Sequence, residues 1–383
     1  MFSVVLAGFC AFLTLFMTQP LLPEFAVIFH ASTVMASLTV TAATLGVALA
    51  APLIGTVADR FGRKSVIVWS ALLLGLSTLA GATAMNLPTL IFWRFVEGLC
   101  TPGVFAITVA YIQEEWSAGG AGTATAAYVS GTVLGGFCGR LVSGIVESRM
   151  SWHWSFIVIG TIGLLGAAAL WIWLPEEQLF IRRSGEHSTL GAAIDHLKNK
   201  QLLATFIAGA CVLFSLLGTF TFITFYLAAP PFRMDSARLG ALFFVYLFGV
   251  VITPNSGRVI DRYGQRFTMV FATAFSVAGI LLTLSHSVPF IIAGLALASS
   301  GVFVSQSCSN SYIGIAAKHN KALAVGLYVT FYYAGGSLGS SLPGYLWAFG
   351  GWPACVALFA AVQVVTLSIA LAWWERPAPA QIR

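Results

Sequence analysis

The chain has 383 residues, of which 58% are hydrophobic and only 8% are Asp, Glu, Lys or Arg. A soluble domain carries about 25% charged residues, so this composition excludes a soluble enzyme, a disordered protein and a collagen-like fibre. The net charge of +6 is spread over short gaps between apolar runs, which favours membrane-orientation signals over a nucleic-acid-binding face.

Twelve apolar runs, each about 20 residues or longer, predict an all-α membrane protein with twelve transmembrane helices. The longest polar stretch, residues 175–201, separates six spans from six. We therefore expect a first bundle at 1–174, a cytoplasmic loop at 175–201, and a second bundle with a short cytoplasmic tail at 202–383. The predicted spans cover residues 2–28, 33–57, 65–85, 88–112, 122–147, 154–174, 202–229, 237–257, 267–285, 288–315, 322–349 and 352–374.

The basic residues predict the orientation of the spans. Of the 19 Lys and Arg, 14 fall in the loops after spans 2, 4, 6, 8 and 10 or in the tail, against 3 on the other side. This bias places both termini in the cytoplasm. Met1 begins almost inside the first span without a basic leader, so this run is not a signal peptide, and a short cytoplasmic head missing from this sequence is one explanation. The 14 residues are Arg60, Arg63, Lys64, Arg182, Arg183, Lys198, Lys200, Arg258, Arg262, Arg266, Lys318, Lys321, Arg376 and Arg383.

The sequence indicates no cofactor, metal site or ATP-driven mechanism. Its six cysteines lie singly in apolar runs, which is typical of packing residues rather than zinc ligands or disulfides. It has no Walker A motif. A membrane-embedded enzyme would need clustered carboxylates or a histidine metal site, and a channel would need a polar lining or filter. Neither pattern is present, so we predict a protein that is not an enzyme.

The two halves of the chain repeat each other. Residues 55–64 and 257–266 share the pattern of Gly, Asp-Arg and Gly at an offset of 202, and the glycine-rich stretches after Tyr128 and Tyr328 match at an offset of 200. Two six-span halves in the same order form a parallel repeat. Such a repeat predicts a ligand cavity between the halves near the middle of the bilayer.

These motifs resemble the major facilitator superfamily. Residues 55–64 are similar to its G-x-x-x-D-R-x-G-R-K signature between spans 2 and 3, and residues 94–98 resemble its R-x-x-x-G motif in span 4. Residues 135–140 resemble its antiporter motif but lack the proline and add Arg140.

The resemblance is to the bacterial drug and sugar efflux branch. It implies a monomeric secondary transporter of the bacterial inner membrane, with a small-molecule substrate, protons and membrane lipid as partners and no nucleic acid. It further implies efflux of a drug or sugar in exchange for protons by alternating access. Uptake of a small solute by proton symport, or by facilitated transport, is the alternative.

The signature turn at residues 55–64 is predicted to act as a conformational latch, since in the family such contacts hold the outward-facing state. Its carboxylate can face a helix N-terminus, which the repeat places near residues 322–326, and the acidic end of span 4 can pair with its arginines. Exposed ion pairs contribute about 0–1 kcal/mol each, so the latch can switch. A solvated positive loop is the alternative. The latch residues are Gly55, Asp59, Arg60, Gly62, Arg63, Lys64, Glu114, Glu115, Asp261, Arg262 and Gly264.

Three charged residues lie well inside predicted spans, away from the span ends, namely Arg94, Glu97 and Arg140. Intramembrane charges are functional by default. Glu97 is the only carboxylate near mid-bilayer and shares a helix face with Arg94. Because a nearby arginine favours the carboxylate, a rearrangement that moves the arginine away changes the proton affinity of Glu97. We predict that these residues couple transport to protons; a static ion pair is the alternative.

Polar and aromatic residues inside spans 1, 5, 7, 10 and 11 are predicted to line the substrate cavity. An unpaired amide is costly in hydrocarbon, and Gln19 lies beside Pro20, where a kinked helix frees backbone groups. Since no further charge lies near mid-bilayer, a neutral substrate is favoured over a highly charged one. The candidates are Gln19, Tyr128, Phe222, Tyr226, Gln306, Asn310, Tyr328, Tyr332 and Tyr333.

The glycines of spans 5 and 11 are predicted to let helices pack closely. A flexible seam on which the halves rock is the functional alternative. These glycines are Gly131, Gly135, Gly136, Gly139, Gly335, Gly336 and Gly339.

Overall fold

The computed structural model describes residues 1–116, 119–178, 189–317 and 319–374. All regular secondary structure in these ranges is helical, and ten helices are long and apolar enough to cross a membrane. The prediction of an all-α membrane protein is confirmed. Five of the basic residues used to predict the orientation lie outside the described residues: Arg182, Arg183, Lys318, Arg376 and Arg383.

The first six predicted spans form seven helices because the first span is broken. Local side chains define where some of them begin. Ser32 accepts a hydrogen bond from the backbone N–H of Met35 (3.2 Å), and Asn86 accepts one from Thr89 (2.9 Å), so each caps a helix N-terminus. The helices are α1 (Phe2–Leu15), α2 (Leu22–Ile28), α3 (Thr33–Phe61), α4 (Arg63–Gly81), α5 (Leu87–Glu115), α6 (Ala121–Arg149) and α7 (Trp152–Trp173).

The break in span 1 lies between α1 and α2. The chain leaves the α-helix after Leu15 and makes a 3-10 turn at Gln19–Leu21 before α2 begins. Pro20 and Pro23 both lack a backbone N–H, so neither can donate a helical hydrogen bond there. The sequence predicts a kink at Pro20, whereas the regular helix ends five residues earlier. After α1 the backbone bonds become tighter, since the N–H of Met17 donates to the carbonyl of Thr14 (3.2 Å) and that of Gln19 donates to the carbonyl of Phe16 (3.1 Å).

The second half departs from the predicted spans at three places. A helix, α8, lies within the predicted central loop; span 8 is divided by a 3-10 turn at Leu242–Tyr246; and span 11 is interrupted at Leu342, where α14 ends and α15 begins. Within α15 the chain turns at Gly351, which has φ +58°. That positive φ falls at the predicted boundary between spans 11 and 12. The helices are α8 (Thr189–Lys198), α9 (Lys200–Ala228), α10 (Ser236–Ala241), α11 (Leu247–Tyr263), α12 (Gln265–Leu282), α13 (Val288–Ala316), α14 (Lys321–Ser341) and α15 (Pro343–Trp373).

The chain forms two compact units. The first contains residues 1–186 with 223–244, and the second contains residues 187–222 with 245–383. In the first unit α3 packs against α5, and α1 packs against α6. In the second unit α12 packs against both α13 and α15. Each unit therefore has its own helical core.

Glycines bring α1 and α6 close together in the first unit. A Cβ atom at Gly135 would overlap the backbone carbonyl of Phe9, and one at Gly139 would overlap that of Leu13; Gly131 lies against the same helix. Such contacts place one helix backbone directly against another.

The second unit repeats this arrangement between α9 and α14. Gly335 lies against the carbonyl of Ala210, and Gly339 lies against that of Phe214. The sequence repeat is thus accompanied by a repeated helix contact.

Candidate functional site

The signature turn joins α3 to α4 through Gly62. This residue has φ +90°, a backbone conformation that favours glycine. Its counterpart Gly264 joins α11 to α12 with φ +81°. The two turns therefore share their backbone geometry, as their sequences share their spacing. Around Gly55 there is open space, since no atom lies within 4 Å of where its Cβ would be.

Arg63 is the centre of the polar contacts at the first turn. Its guanidinium lies 2.8 Å from a carboxylate oxygen of Asp59 and binds Glu114 through two hydrogen bonds, from Nη2 (2.8 Å) and Nε (3.1 Å). A bidentate contact of this kind fixes both distance and orientation. The acidic end of α5 is thus paired with the signature turn. The latch role of these residues stays a prediction.

The other predicted latch residues make different contacts. The guanidinium of Arg60 lies 5.6 Å from the ring centre of Phe61, and that of Arg262 lies 5.2 Å from the ring centre of Tyr263. Asp261 is exposed. These arginines therefore stack on neighbouring rings of their own helices.

Two residues just after α7, Glu176 and Glu177, contact the signature turn, and sequence reasoning did not assign them to a site. Glu177 accepts hydrogen bonds from the backbone N–H groups of Arg63 (3.0 Å) and Lys64 (3.2 Å), and Glu176 pairs with the Lys64 ammonium (2.9 Å). The contacts run between positions more than 110 residues apart in the chain. The signal that could have found them is local: α4 begins without a capping side chain of its own.

Arg94 and Glu97 form a fully buried ion pair within α5. Nη1 of Arg94 contacts Oε2 of Glu97, as expected for residues three apart on a helix. The other carboxylate oxygen, Oε1, has no hydrogen-bond partner among the described residues. Its polar neighbour is Thr78, but that hydroxyl donates to the carbonyl of Leu74 (2.8 Å). Arg94 therefore binds one oxygen of Glu97, and the other lies beside Thr78.

Arg94 also holds the break in span 1. Its guanidinium donates to the carbonyl oxygens of Thr14 (3.0 Å) and Leu15 at the end of α1, and its Nε donates to that of Thr39 (3.2 Å). A cation at a helix C-terminus pairs favourably with the helix dipole. Arg94 therefore connects α1, α3 and α5 through backbone acceptors.

Arg140 lies in a second buried polar cluster, in α6. Its Nε donates to Oε1 of Gln19 (2.7 Å) and its Nη1 donates to the carbonyl of Gly136 (2.6 Å). The rings of Phe16 and Phe243 lie 4.7 Å and 4.5 Å from its guanidinium carbon. The structure thus pairs Glu97 with Arg94 and pairs Arg140 with the predicted cavity residue Gln19.

Two other predicted cavity residues lie in the first unit. The hydroxyl of Tyr128 donates to the carbonyl of Phe105 (3.0 Å), and the ring of Tyr226 lies 5.2 Å from that of Phe232. Tyr128, which lies on α6, is therefore bound to α5. Tyr226 is half-buried.

The remaining predicted cavity residues lie in the second unit, where α14 carries a run of buried tyrosines. Tyr328 stacks on Tyr332 at 5.7 Å between ring centres, and Tyr332 meets Tyr333 edge-on at 5.6 Å. Phe222 is fully buried. Gln306 is half-buried and Asn310 is exposed on α13. The three tyrosines thus form a compact aromatic group.

A cavity of about 350 Å³ lies in the first unit at the ends of α2 and α6. None of the predicted site residues lines it. Its lining includes three carboxylates, Glu24, Glu147 and Asp235. Within the described ranges, no group of three or more His, Cys, Asp or Glu side chains could hold a metal ion.

Helical bundles with internal charges, a repeated signature turn and a broken first span define a polytopic membrane transporter, and comparison with known proteins agrees. The sequence profile described as Major Facilitator Superfamily matches residues 4–252 and 227–383. The chain is 32% identical to the MFS-type transporter YybF of Bacillus subtilis, over 96% of this chain and 91% of that protein.

It is also 31% identical to the inner membrane transport protein YnfM of Escherichia coli, over 95% of this chain and 87% of that protein. The crystal structure of a mutant of the nucleoside transporter NupG shares the fold, with a TM-score of 0.79 at 16% identity and coverage of 98% and 99% of the two chains. The chain belongs to the Major Facilitator Superfamily. It is therefore a transporter of a small solute, and the predicted twelve-span fold is confirmed.

Proposed function

We propose that this protein exports a small organic compound, such as a drug or a sugar, in exchange for protons. The observation that carries the proposal is the carboxyl group of Glu97, which is fully buried and bound by Arg94 through one oxygen. No side chain in the described ranges donates a hydrogen bond to its other oxygen. An ionisable group in this position is a functional residue by default. The resemblance to efflux branches supports the direction of transport.

Each of the three intramembrane charges has its own part in this proposal. Glu97 takes up and releases the proton. Arg94 stabilises the ionised state, and its bonds to α1 connect that state to the broken first span. Arg140 responds to bound substrate through the proposed substrate contact Gln19, to which it donates a 2.7 Å hydrogen bond. Protonation of Glu97 would remove the counter-charge of Arg94 and so change the balance of its bonds to Glu97 and to the Thr14 carbonyl of α1.

The substrate contacts proposed here are the polar and aromatic residues predicted from the sequence. In the first unit Gln19 lies in the 3-10 turn at the break, and Tyr128 lies on α6, which packs against α1. In the second unit the tyrosines of α14 provide a large and rigid apolar surface with polar tips. Rings with hydroxyl tips suit a small, largely neutral aromatic or polyhydroxylated compound. The protein acts as a monomer in the inner membrane, with both termini in the cytoplasm.

The proposal is tested in proteoliposomes that contain a pH-sensitive dye. A panel of probes (ethidium, chloramphenicol and lactose) is added under an imposed pH gradient. We expect a probe to move against the proton flow in the wild type. Movement with the proton flow would instead show symport. Movement at the same rate with and without the pH gradient would show facilitated transport.

The coupling residue is tested with Glu97→Gln, which keeps the shape of the side chain but cannot ionise. We expect this variant to lose probe movement driven by the pH gradient while retaining exchange of labelled for unlabelled probe. The matched control is Asp195→Asn, which neutralises an exposed carboxylate on α8. Gradient-driven transport by Glu97→Gln at the wild-type rate would refute the assignment.

A further inference from the structure

The start of α4 lacks a capping group in its own neighbourhood. Its N-cap is Gly62, which has no side chain, and its first turn contains no acidic residue. The first backbone N–H groups of a helix have no partner within the helix, and the helix dipole favours a negative charge beside them. A 19-residue helix with two basic side chains at its first two positions needs that charge from elsewhere in the chain.

Glu177 supplies the missing charge. Its two carboxylate oxygens accept one hydrogen bond each from the N–H groups of Arg63 (3.0 Å) and Lys64 (3.2 Å). A Cβ atom at position 62 would overlap Oε1 of Glu177. Glycine is therefore needed at position 62 both for its positive φ and to leave room for this carboxylate.

Residues 175–178, named here the strap, are fixed at both ends. The hydroxyl of Tyr111 donates to the carbonyl of Pro175 (3.0 Å), and the backbone N–H of Gln178 donates to Glu115 (2.9 Å). Both partners belong to the last turns of α5. The strap thus connects the end of α7, the end of α5 and the start of α4. It leads from the first bundle into the long central stretch of the chain.

The second half holds its turn in another way. At the start of α12, the side chain of Arg266 donates to the carbonyl of Trp374 (3.1 Å) and to that of Leu371 at the end of α15. In the first half a carboxylate after the last span binds amides of the turn, whereas in the second half a cation of the turn binds carbonyls of the last span. Only the first arrangement depends on an acidic residue in the central stretch.

We propose that Glu177 is a positioning residue of the transport cycle, which holds the start of α4 so that Arg63 bridges Asp59 and Glu114. Since both amides bound by Glu177 belong to the turn that orients Arg63, loss of the carboxylate loosens the bridge although no bridging residue has changed. The strap thereby links the central stretch to the proposed latch. This inference rests on the proposed latch role of the signature turn.

Hydrogen–deuterium exchange in detergent tests the proposal without any substrate, so its outcome is independent of the transport assay. In Glu177→Gln we expect the Arg63 and Lys64 amides to exchange roughly tenfold faster, since a charge-assisted hydrogen bond is lost. Exchange at the C-terminal ends of α3 and α5 should rise as well, because the Arg63 bridge loosens. The interior of α13 should stay at the wild-type rate, which shows that the variant is folded.

Two companion variants make the result specific. Glu177→Asp keeps the charge and should return the amide exchange at least halfway to the wild-type rate. Glu176→Gln makes the same charge change one residue earlier, but its partner is the Lys64 side chain, so the two amides should keep their wild-type rate. Unchanged exchange in Glu177→Gln, equal effects of the Glu176 and Glu177 variants, or unchanged exchange at the ends of α3 and α5 would each overturn the proposal.

Discussion

At the scale of single residues, Arg94 combines two kinds of contact that are usually separate. Its guanidinium neutralises a buried carboxylate and also satisfies three backbone carbonyls. Arginine suits this place because its planar group offers five donors in fixed directions, whereas lysine offers a compact charge. The same side chain therefore serves both the charge balance of α5 and the shape of the first span.

Removal of the Arg94 charge should destabilise the protein strongly. In Arg94→Met the Glu97 carboxylate would be left buried without a counter-charge, which costs about 3–5 kcal/mol. Adding Glu97→Gln removes the uncompensated charge, so the double variant should regain part of the loss. Thermal unfolding in detergent measures both effects. Equal unfolding temperatures for the single and double variants would show that the ion pair does not set this stability.

Sequence reasoning located the ion pair but missed most of its surroundings. The spacing of Arg94 and Glu97 places them on one helix face, which is a local property of α5. The carbonyls of Thr14 and Leu15 become acceptors only because the chain leaves the helix after Leu15, five residues before Pro20. Glu177 was missed for a related reason, since its partner amides lie 114 and 113 positions away in the chain. The one sequence signal is that α4 begins without a capping side chain of its own.

At the scale of elements, the contact between α1 and α6 depends on the absence of side chains. Gly139 lies against the carbonyl of Leu13, so a methyl group there would overlap a backbone atom, whereas nothing lies within 4 Å of a Cβ at Gly122 on the same helix. The glycine pattern in spans 5 and 11 could be read from the sequence. The sequence could not predict which helix packs against these glycines, because a spacing of four residues allows any helix to approach closely.

This contrast gives a matched pair of variants. Gly139→Ala should lower the free energy of unfolding by about 1–3 kcal/mol, because the helices must separate or distort. Gly122→Ala should be neutral or stabilising by up to about 1 kcal/mol, since alanine restricts the unfolded chain and favours the helix. Unfolding temperatures in one detergent give the comparison. A more stable Gly139→Ala protein would contradict the close packing of α1 and α6.

At the scale of the whole molecule, the two repeated halves contain different candidate functional residues. The buried ion pair and Arg140 belong to the first unit, and the stacked tyrosines of α14 belong to the second. The repeated fold was predictable, because residues 55–64 and 257–266 match in spacing. Their different contacts were not, because they depend on Glu177 in one half and on Arg266 in the other.

The topology predicted from the charge bias can be checked directly. Of the 19 basic residues, 14 fall on the proposed cytoplasmic side, and such a bias sets the orientation of spans. Green fluorescent protein fused after Arg383 should therefore fluoresce, and alkaline phosphatase at the same place should be inactive. Phosphatase inserted at Arg233, between α9 and α10, should be active. The opposite pattern would invert the assignment of every loop.

The placement of charges in one unit and stacked tyrosines in the other has a bearing on how such a protein diversifies. A substitution among Tyr328, Tyr332 and Tyr333 changes an aromatic group without touching the Arg94–Glu97 pair. Under the proposed function, a relative can therefore change its substrate specificity while it keeps the residues of proton coupling. Under the proposed function, the two halves of a duplicated protein can then evolve separately, one for proton coupling and the other for substrate binding.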